Sequence, residues 1–205
     1  MMKVGLLVES GRAGLEAIVF RRICDLLIAQ HEAQIEVEIV PMDNKLRLLQ
    51  DCAGVAKALL ATGFERVVVL WDERPAWPTA NDRLCWHNDR EHALAQLNAL
   101  KVPLEKVHLV CIEREFESWL MYDHRMLGRV LSRQTRTVSF PKQSHPDRNP
   151  NPKGTLTSKF RELAGQTYVD VNFATRFAIE LSSLNKVLKC PTFKRFAVKL
   201  TGQEF

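Results

Sequence analysis

Six acidic residues close to the ends of apolar segments are the strongest candidates for chemistry in this sequence. They are Glu9, the pair Asp72 and Glu73, and the trio Glu113, Glu115 and Glu117. Crowded carboxylates repel one another, and protonation or a bound cation relieves the repulsion. Mg²⁺ prefers oxygen ligands and commonly takes one or two carboxylates together with substrate phosphates. The acids therefore point to Mg²⁺, or Mn²⁺, and to in-line phosphoryl displacement.

The elements that must position these acids alternate between strand and helix. Apolar runs predict strands at residues 4–9, 35–40, 67–71 and 107–112, and helical spacing predicts helices at 14–30, 46–61, 89–100 and from 116 onwards. Such alternation implies a mainly parallel sheet with helices on both faces. Because ligands bind outside the carboxyl ends of parallel strands, we expect the acids to meet at one edge of the sheet.

Each acid also has a simpler explanation when it is taken alone. Acidic side chains near a helix N-terminus are favoured by the helix dipole and by capping. Glu9 and Asp72 are different, since each one ends an apolar strand. For that pair we favour function over capping.

Net charge divides the chain into two parts. Residues 1–123 carry 14 basic and 19 acidic residues, whereas residues 124–205 carry 15 and 5. We predict an α/β domain over 1–123 and a basic, mostly helical extension over 124–205 that packs on it. Helices are predicted at 156–164, 171–181 and 193–200, after a polar loop at 132–155 that is mobile or ordered by a partner. A basic surface attracts nucleic-acid phosphates, although neutralisation of one part by the other explains the charge equally well.

Four arginines in the basic part recur at intervals of three or four residues. On a helix they would form one stripe suited to a phosphate backbone, or else an ordinary solvated face. With two lysines they are the predicted nucleic-acid contacts: Arg125, Arg129, Arg133, Arg136, Lys153 and Lys159.

Composition and motifs exclude several classes of protein. The chain is 46% hydrophobic and 26% charged, with five cysteines and no CxxC pair, which is typical of a cytoplasmic globular protein without disulfides. No apolar run approaches the ~18 residues of a membrane span, so no membrane contact is expected. The loop 11–14 could cradle a phosphate but lacks the P-loop pattern, so ATP hydrolysis is not expected. Cys85, His87 and His92 match no common zinc spacing, and the loop 73–87 is predicted to cover the active face.

The order of the acids resembles a TOPRIM domain, the fold shared by topoisomerases, primases and OLD-type nucleases. That pattern has a Glu after the first strand and a DxD after the third. The chain more closely resembles a bacterial TOPRIM-like family of unknown function that is often associated with ABC-type ATPases. Three short segments carry this resemblance in order: Glu115-Phe116-Glu117, Asn151-Pro152-Lys153 and Cys190-Pro191-Thr192-Phe193.

The resemblance implies roles for individual residues. Glu9 matches the TOPRIM glutamate, a general acid/base or metal ligand, and Asp72 matches the first Asp of DxD, a Mg²⁺ ligand. Arg74 stands at the second Asp position, so Glu115 or Glu117 would supply the missing carboxylate. The expected catalytic residues are Glu9, Asp72 and Glu115, and the expected metal ligands are Glu9, Asp72, Glu73, Glu115 and Glu117.

Three functions follow from these observations. The first is a Mg²⁺- or Mn²⁺-dependent TOPRIM-like nuclease acting on DNA or RNA, which by resemblance is the effector of an ATPase-linked phage-defence system. The second is an inactive TOPRIM-like adaptor that binds an ATPase partner or nucleic acid, which Arg74 favours. The third is a flavodoxin-like small-nucleotide binder, and strand order bears on it.

Overall fold

The computed structural model describes residues 1–11, 14–73 and 86–205, which form four strands and eight α-helices. In chain order the elements are β1 (Met2–Val8), α1 (Leu15–His31), β2 (Ile35–Pro41), α2 (Lys45–Ala61), β3 (Arg66–Asp72), α3 (Trp86–Ala99), β4 (Val107–Ile112), α4 (Glu117–Leu120), α5 (His124–Leu131), α6 (Pro152–Ala164), α7 (Asp170–Glu180) and α8 (Pro191–Thr201). Short 3₁₀ turns lie at Leu104–Lys106, Pro146–Arg148 and Val187–Lys189. The predicted strands and helices are confirmed, and their ends differ by a few residues. Among the described helices, none has the length and apolar character that a membrane crossing requires.

All four strands are parallel and lie in the order β2-β1-β3-β4. Val4 pairs with Val37 on one side of β1, and Val8 pairs with Leu70 on the other. The chain is therefore an α/β protein with a parallel sheet, as predicted. Flavodoxin-like sheets begin with the same strand order, so the order is compatible with the nucleotide-binding alternative.

Each central strand is buried on both faces because helices cover both sides of the sheet. Val4, Leu6 and Val8 of β1 face the side covered by α1, whereas Leu7 faces the side covered by α2 and α3. This two-sided burial explains why the strands read as continuous apolar runs rather than alternating ones.

The C-terminal helices complete the α1 side of the sheet. An aromatic cluster joins Phe20 of α1 to Phe116 at 4.9 Å, to Trp119 at 6.1 Å and to Phe196 of α8 at 5.8 Å, between ring centroids. One continuous apolar core contains these rings and the buried side chains of α7. The core thus crosses the predicted domain boundary after residue 123.

The segment 132–155, which was predicted to be mobile or ordered by a partner, packs part of its length against the core. Val138 and Phe140 are buried in the core, and Ser132 Oγ accepts a hydrogen bond from the Val138 N–H at 2.9 Å. Helix α6 also begins earlier than predicted. The Asn151 side chain caps it by accepting from the Gly154 N–H at 2.8 Å, and Pro152 occupies the first turn, where proline is favoured.

Candidate functional site

The carboxyl edge of the sheet contains a topological switch point between β1 and β3. These strands are neighbours, but α1 leaves β1 toward one face and α3 covers the opposite face. The divergence opens the crevice in which α/β proteins bind ligands. Val8 and Leu70 are the last pair between β1 and β3, so Glu9 lies one residue and Asp72 two residues beyond that pair, and Asp72 still pairs with Ile112 of β4. The structure thus places this predicted pair on the two sides of the crevice.

Glu9 is half-buried and stands at the start of a tightly anchored loop. Ser10 is buried, and its Oγ accepts from the Ala17 N–H in the first turn of α1 at 3.2 Å. Its carbonyl accepts from the Asp43 N–H at 3.2 Å, which ties the loop to the end of β2. Arg12 and Ala13, in the middle of the predicted phosphate loop, lie outside the described residues.

Asp72 is only 7% exposed, and one of its oxygens is fixed by the chain after β4. Its Oδ2 accepts a hydrogen bond from the Phe116 N–H at 3.1 Å. The buried Lys45 Nζ donates to the carbonyls of Asp72 and Glu73, at 3.0 and 3.1 Å, and forms an ion pair with Asp89 at 2.8 Å. Sequence reasoning missed Lys45, although its place at the first position of α2, after β2, puts it on this edge.

Glu73 is bound by the neighbouring loop. Its Oε2 accepts from the backbone N–H of Arg114 at 3.2 Å and from the Arg114 guanidinium at 3.3 Å. Arg114 has φ +71°, a left-handed conformation that turns its N–H toward this carboxylate. Glu113 is exposed and lies 3.9 Å from Arg195 of α8.

Glu115 and Glu117 contact the first turn of α6. Glu115 Oε2 accepts from the Lys153 backbone N–H at 2.9 Å, a favourable position for an anion at a helix N-terminus. The buried Glu117 accepts from the Tyr168 hydroxyl at 3.1 Å and lies 3.8 Å from Lys153 Nζ. Two segments that are far apart in the sequence, 115–117 and 151–153, therefore meet at this edge.

The described residues contain no complete cage for a metal ion. Within residues 1–11, 14–73 and 86–205, no three His, Cys, Asp or Glu side chains are placed to hold a metal together. Mg²⁺ commonly uses one or two carboxylates and completes its shell with water and substrate phosphates. The acids that such a mode would use are Glu9 and Asp72, at the ends of two neighbouring strands. Residues 74–85 lie outside the described part of the chain. They include Arg74, Cys85 and most of the predicted loop 73–87.

The four arginines do not form the single stripe that was predicted. Arg125 and Arg129 lie on α5, but this helix ends at Leu131. The backbone N–H groups of Arg133 and Arg136 each donate to the carbonyl of the other residue across a turn. Arg129 binds the end of α7 through Glu180 at 2.8 Å, and Arg136 donates to the Leu163 carbonyl of α6 at 2.8 Å. Two of these guanidiniums therefore hold helix ends in place.

The two lysines predicted to contact nucleic acid have different surroundings. Lys159 pairs with Glu162 at 2.7 Å on the surface of α6. Lys153 lies beside Glu115 and Glu117 at the carboxyl edge of the sheet. Lys153 is thus the predicted phosphate contact that the structure brings to the candidate site.

The described cysteines are unsuited to nucleophilic chemistry. Cys24, Cys52, Cys111 and Cys190 are free thiols. Burial raises the pKa of Cys24 to about 12 and that of Cys52 to about 11, and it raises the pKa of the other two as well. All four are therefore protonated near neutral pH, whereas the reactive form of cysteine is the thiolate.

Comparison with known proteins gives one match. A family model described as "Domain of unknown function (DUF4276)" matches residues 16–201. No curated protein and no solved structure matches the chain.

Proposed function

The chain belongs to the DUF4276 family, whose description names no activity, and we propose from its own site that it is a Mg²⁺-dependent nuclease. The observation that carries the proposal is the placement of Glu9 and Asp72 on either side of the switch point. Bound there, Mg²⁺ or Mn²⁺ would activate water and stabilise the charge on the phosphoryl oxygens. Glu9 and Asp72 would hold the ion.

The surrounding residues prepare the edge for an anionic substrate. The Phe116 N–H fixes one oxygen of Asp72, and Lys45 fixes the backbone at the end of β3. The Lys153 ammonium, near the buried Glu117, would contact a substrate phosphate. The other predicted metal ligands, Glu73, Glu115 and Glu117, have structural partners and would support the site rather than bind metal.

A cleavage assay tests the nuclease directly. We expect plasmid, single-stranded DNA or tRNA to be cut with Mg²⁺ or Mn²⁺ and not with EDTA. Glu9→Ala and Asp72→Ala should each abolish cutting while circular dichroism shows an intact fold. Glu91→Ala, at an exposed acid on α3, is the matched control and should cut normally. Cutting at the wild-type rate by both site variants would refute the proposal.

We also propose that the sheet is a TOPRIM-like domain related to the OLD-type nucleases, and that an ABC-type ATPase is its partner in phage defence. Support comes from the contact between segments 115–117 and 151–153, because two motifs of the resemblance occupy one edge. Co-purification with an ATPase encoded nearby tests the partnership. A nuclease that is inactive alone and active in that complex would support it.

The second candidate function is a non-catalytic adaptor with the same fold. It is favoured by the engagement of Glu73, Glu115 and Glu117 in structural hydrogen bonds. Thermal unfolding distinguishes the two functions. A nuclease should gain stability with Mg²⁺ or Mn²⁺, and Asp72→Ala should remove the gain. An adaptor should show no such shift.

A further inference from the structure

A basic cleft lies beside the edge strand β4, next to the candidate site. Its volume is about 650 Å³, and its lining includes Glu73, the residue after Asp72. Five cationic side chains line it: Arg90, Arg114, Arg148, Arg195 and Lys199. Three carboxylates also line it: Glu73, which Arg114 binds, Glu113, which lies 3.9 Å from Arg195, and Asp147, which accepts from the Tyr122 hydroxyl at 2.7 Å. The five cations outnumber these three carboxylates by two, so the net charge of the lining is positive.

Four parts of the chain supply these cations: α3, α8, the turn before α6 and the loop after β4, which carries Arg114. Arg195 and Lys199 are four residues apart on α8, so they lie on the same face of that helix. Arg90 of α3 donates to the Leu109 carbonyl of β4 at 3.1 Å, which holds its guanidinium against the strand. Arg148 is exposed in the turn before α6. The cations thus follow the strand toward its carboxyl end.

The positive charges also affect a titratable residue on the strand itself. His108 of β4 has its pKa lowered, first by burial and then by the charges of Lys199 and Arg66. Arg66 donates to the Leu200 carbonyl at the end of α8, at 3.2 Å. The cations therefore extend along β4 beyond the cleft.

A buried donor without a partner belongs to a residue that lines the cleft. Trp71 of β3 lines the cleft and is 1% exposed. Its Nε1 has no hydrogen-bond partner among the residues that the structure describes. A buried N–H without an acceptor costs about 1–3 kcal/mol, and an anionic oxygen in the cleft would supply that acceptor.

We propose that this cleft binds the phosphates of a single-stranded nucleic acid and leads the strand toward Glu9 and Asp72. The cations match a phosphate backbone in sign, and the Trp71 N–H matches a phosphate or base oxygen in hydrogen bonding. The volume lies within the range of about 300–1,000 Å³ that is usual for ligand pockets, so we assign the cleft to part of a single strand rather than to a duplex. The inference deepens the proposed nuclease function and rests on it for the class of substrate.

Fluorescence anisotropy in EDTA tests the cleft without metal or cleavage. The probes are labelled single-stranded DNA and RNA of one sequence, titrated at several salt concentrations. Arg195→Ala with Lys199→Ala should weaken binding about tenfold and reduce the salt slope by about 1.4, since each phosphate contact on a single strand contributes about 0.7. Lys3→Ala with Lys57→Ala removes two exposed cations elsewhere and should leave binding unchanged.

Trp71→Phe isolates the neutral donor. It should weaken binding several-fold without changing the salt slope, because no charge is removed. Its melting temperature is measured in parallel, and the double variant on α8 keeps the test valid if Trp71→Phe fails to fold.

Several outcomes would overturn the proposal. One is an affinity of the α8 double variant equal to that of the wild type. Another is a loss of affinity in the Lys3 and Lys57 control as large as that in the α8 double variant. Binding of adenosine monophosphate but not of an oligonucleotide would make the cleft a mononucleotide pocket. Displacement of the oligonucleotide by a polyglutamate peptide at equal charge would indicate an acidic protein partner instead.

The two proposals fail separately. Binding through the cleft without cleavage under any metal condition, both alone and with the co-purified ATPase, would leave the cleft and remove the nuclease. Cleavage that is unaffected by the α8 double variant would leave the nuclease and remove the cleft.

Discussion

Lys45 is a buried cation that joins several groups at the carboxyl edge of the sheet. Its ammonium joins the carbonyls of Asp72 and Glu73 at the end of β3 to the carboxylate of Asp89 on α3. Its side chain is only 6% exposed. Removing one partner of a buried ion pair leaves the other charge uncompensated. The cation therefore contributes to stability through the groups that it satisfies.

Lys45→Met should lower the free energy of unfolding by about 3–5 kcal/mol, because Asp89 loses its buried counter-charge. Urea denaturation measures the change. Lys57→Met on the same helix is the control, since Lys57 is exposed and such changes stay within about 0.5 kcal/mol. Equal stabilities for the two variants would contradict this role for Lys45.

His108 makes the stability of the fold depend on pH. Its pKa is lower in the folded protein than the usual value of about 6.5, chiefly through burial and also through Lys199 and Arg66. The folded state therefore binds fewer protons than the unfolded state below about pH 6.5, so stability is lost as pH falls through the folded pKa. His108→Gln should lose less stability than the wild type between pH 7 and pH 5, as measured by urea denaturation. An identical pH dependence in both proteins would show that other groups control it.

Among single residues, the sequence predicted best where local position was sufficient. Glu9 and Asp72 could be placed at the carboxyl edge of the sheet because each one ends an apolar strand, and their roles in catalysis and metal binding stay predictions. Glu73, Glu115 and Glu117 were expected to join them as metal ligands, a prediction that remains untested. Their partners Arg114, Lys153 and Tyr168 could not be anticipated. Each of these residues is far along the sequence from the carboxylate that it contacts.

At the scale of elements, α5 packs closely against the segment that follows it. A Cβ atom at Gly128 of α5 would lie 2.8 Å from the Val138 carbonyl oxygen. The close approach helps to explain why Val138 and Phe140 are buried. A local pattern of polar residues and prolines gave no sign of this packing, and so the segment 132–155 was predicted to be mobile or ordered by a partner.

Gly128→Ala should destabilise the protein by about 1–3 kcal/mol, because the added methyl group meets backbone that cannot rotate away. Gly54→Ala is the matched control on α2, where the added Cβ meets nothing within 4 Å. It should stabilise by up to about 1 kcal/mol through helix propensity. Thermal or urea unfolding of both variants gives the comparison, and a stable Gly128→Ala protein would show that the segment moves aside.

At the scale of the whole molecule, one apolar core unites the two parts that differ in charge. The rings of Phe20, Phe116 and Phe196 contact one another across the predicted boundary after residue 123. Periodicity was sufficient to predict the alternating elements and the parallel sheet. The packing of α7 and α8 over α1 depends on contacts between distant segments, which no local pattern encodes.

Residues 1–123 produced alone should lack cooperative unfolding, because the apolar side of α1 would be exposed without α7 and α8. Dye binding by exposed apolar surface and a broad thermal transition would be the expected results. The full chain serves as the control. A sharp transition in the fragment would establish residues 1–123 as an independent domain.

The shared core also sets an order of events on the ribosome. The chain emerges at about 5–20 residues per second, and α1 is made long before α7 and α8. During that interval the apolar side of α1 is exposed, because the helices that will cover it have not yet been synthesised. Nascent chains of this protein are therefore expected to recruit chaperones until α8 emerges, and slower translation of residues 124–205 should increase aggregation rather than assist folding.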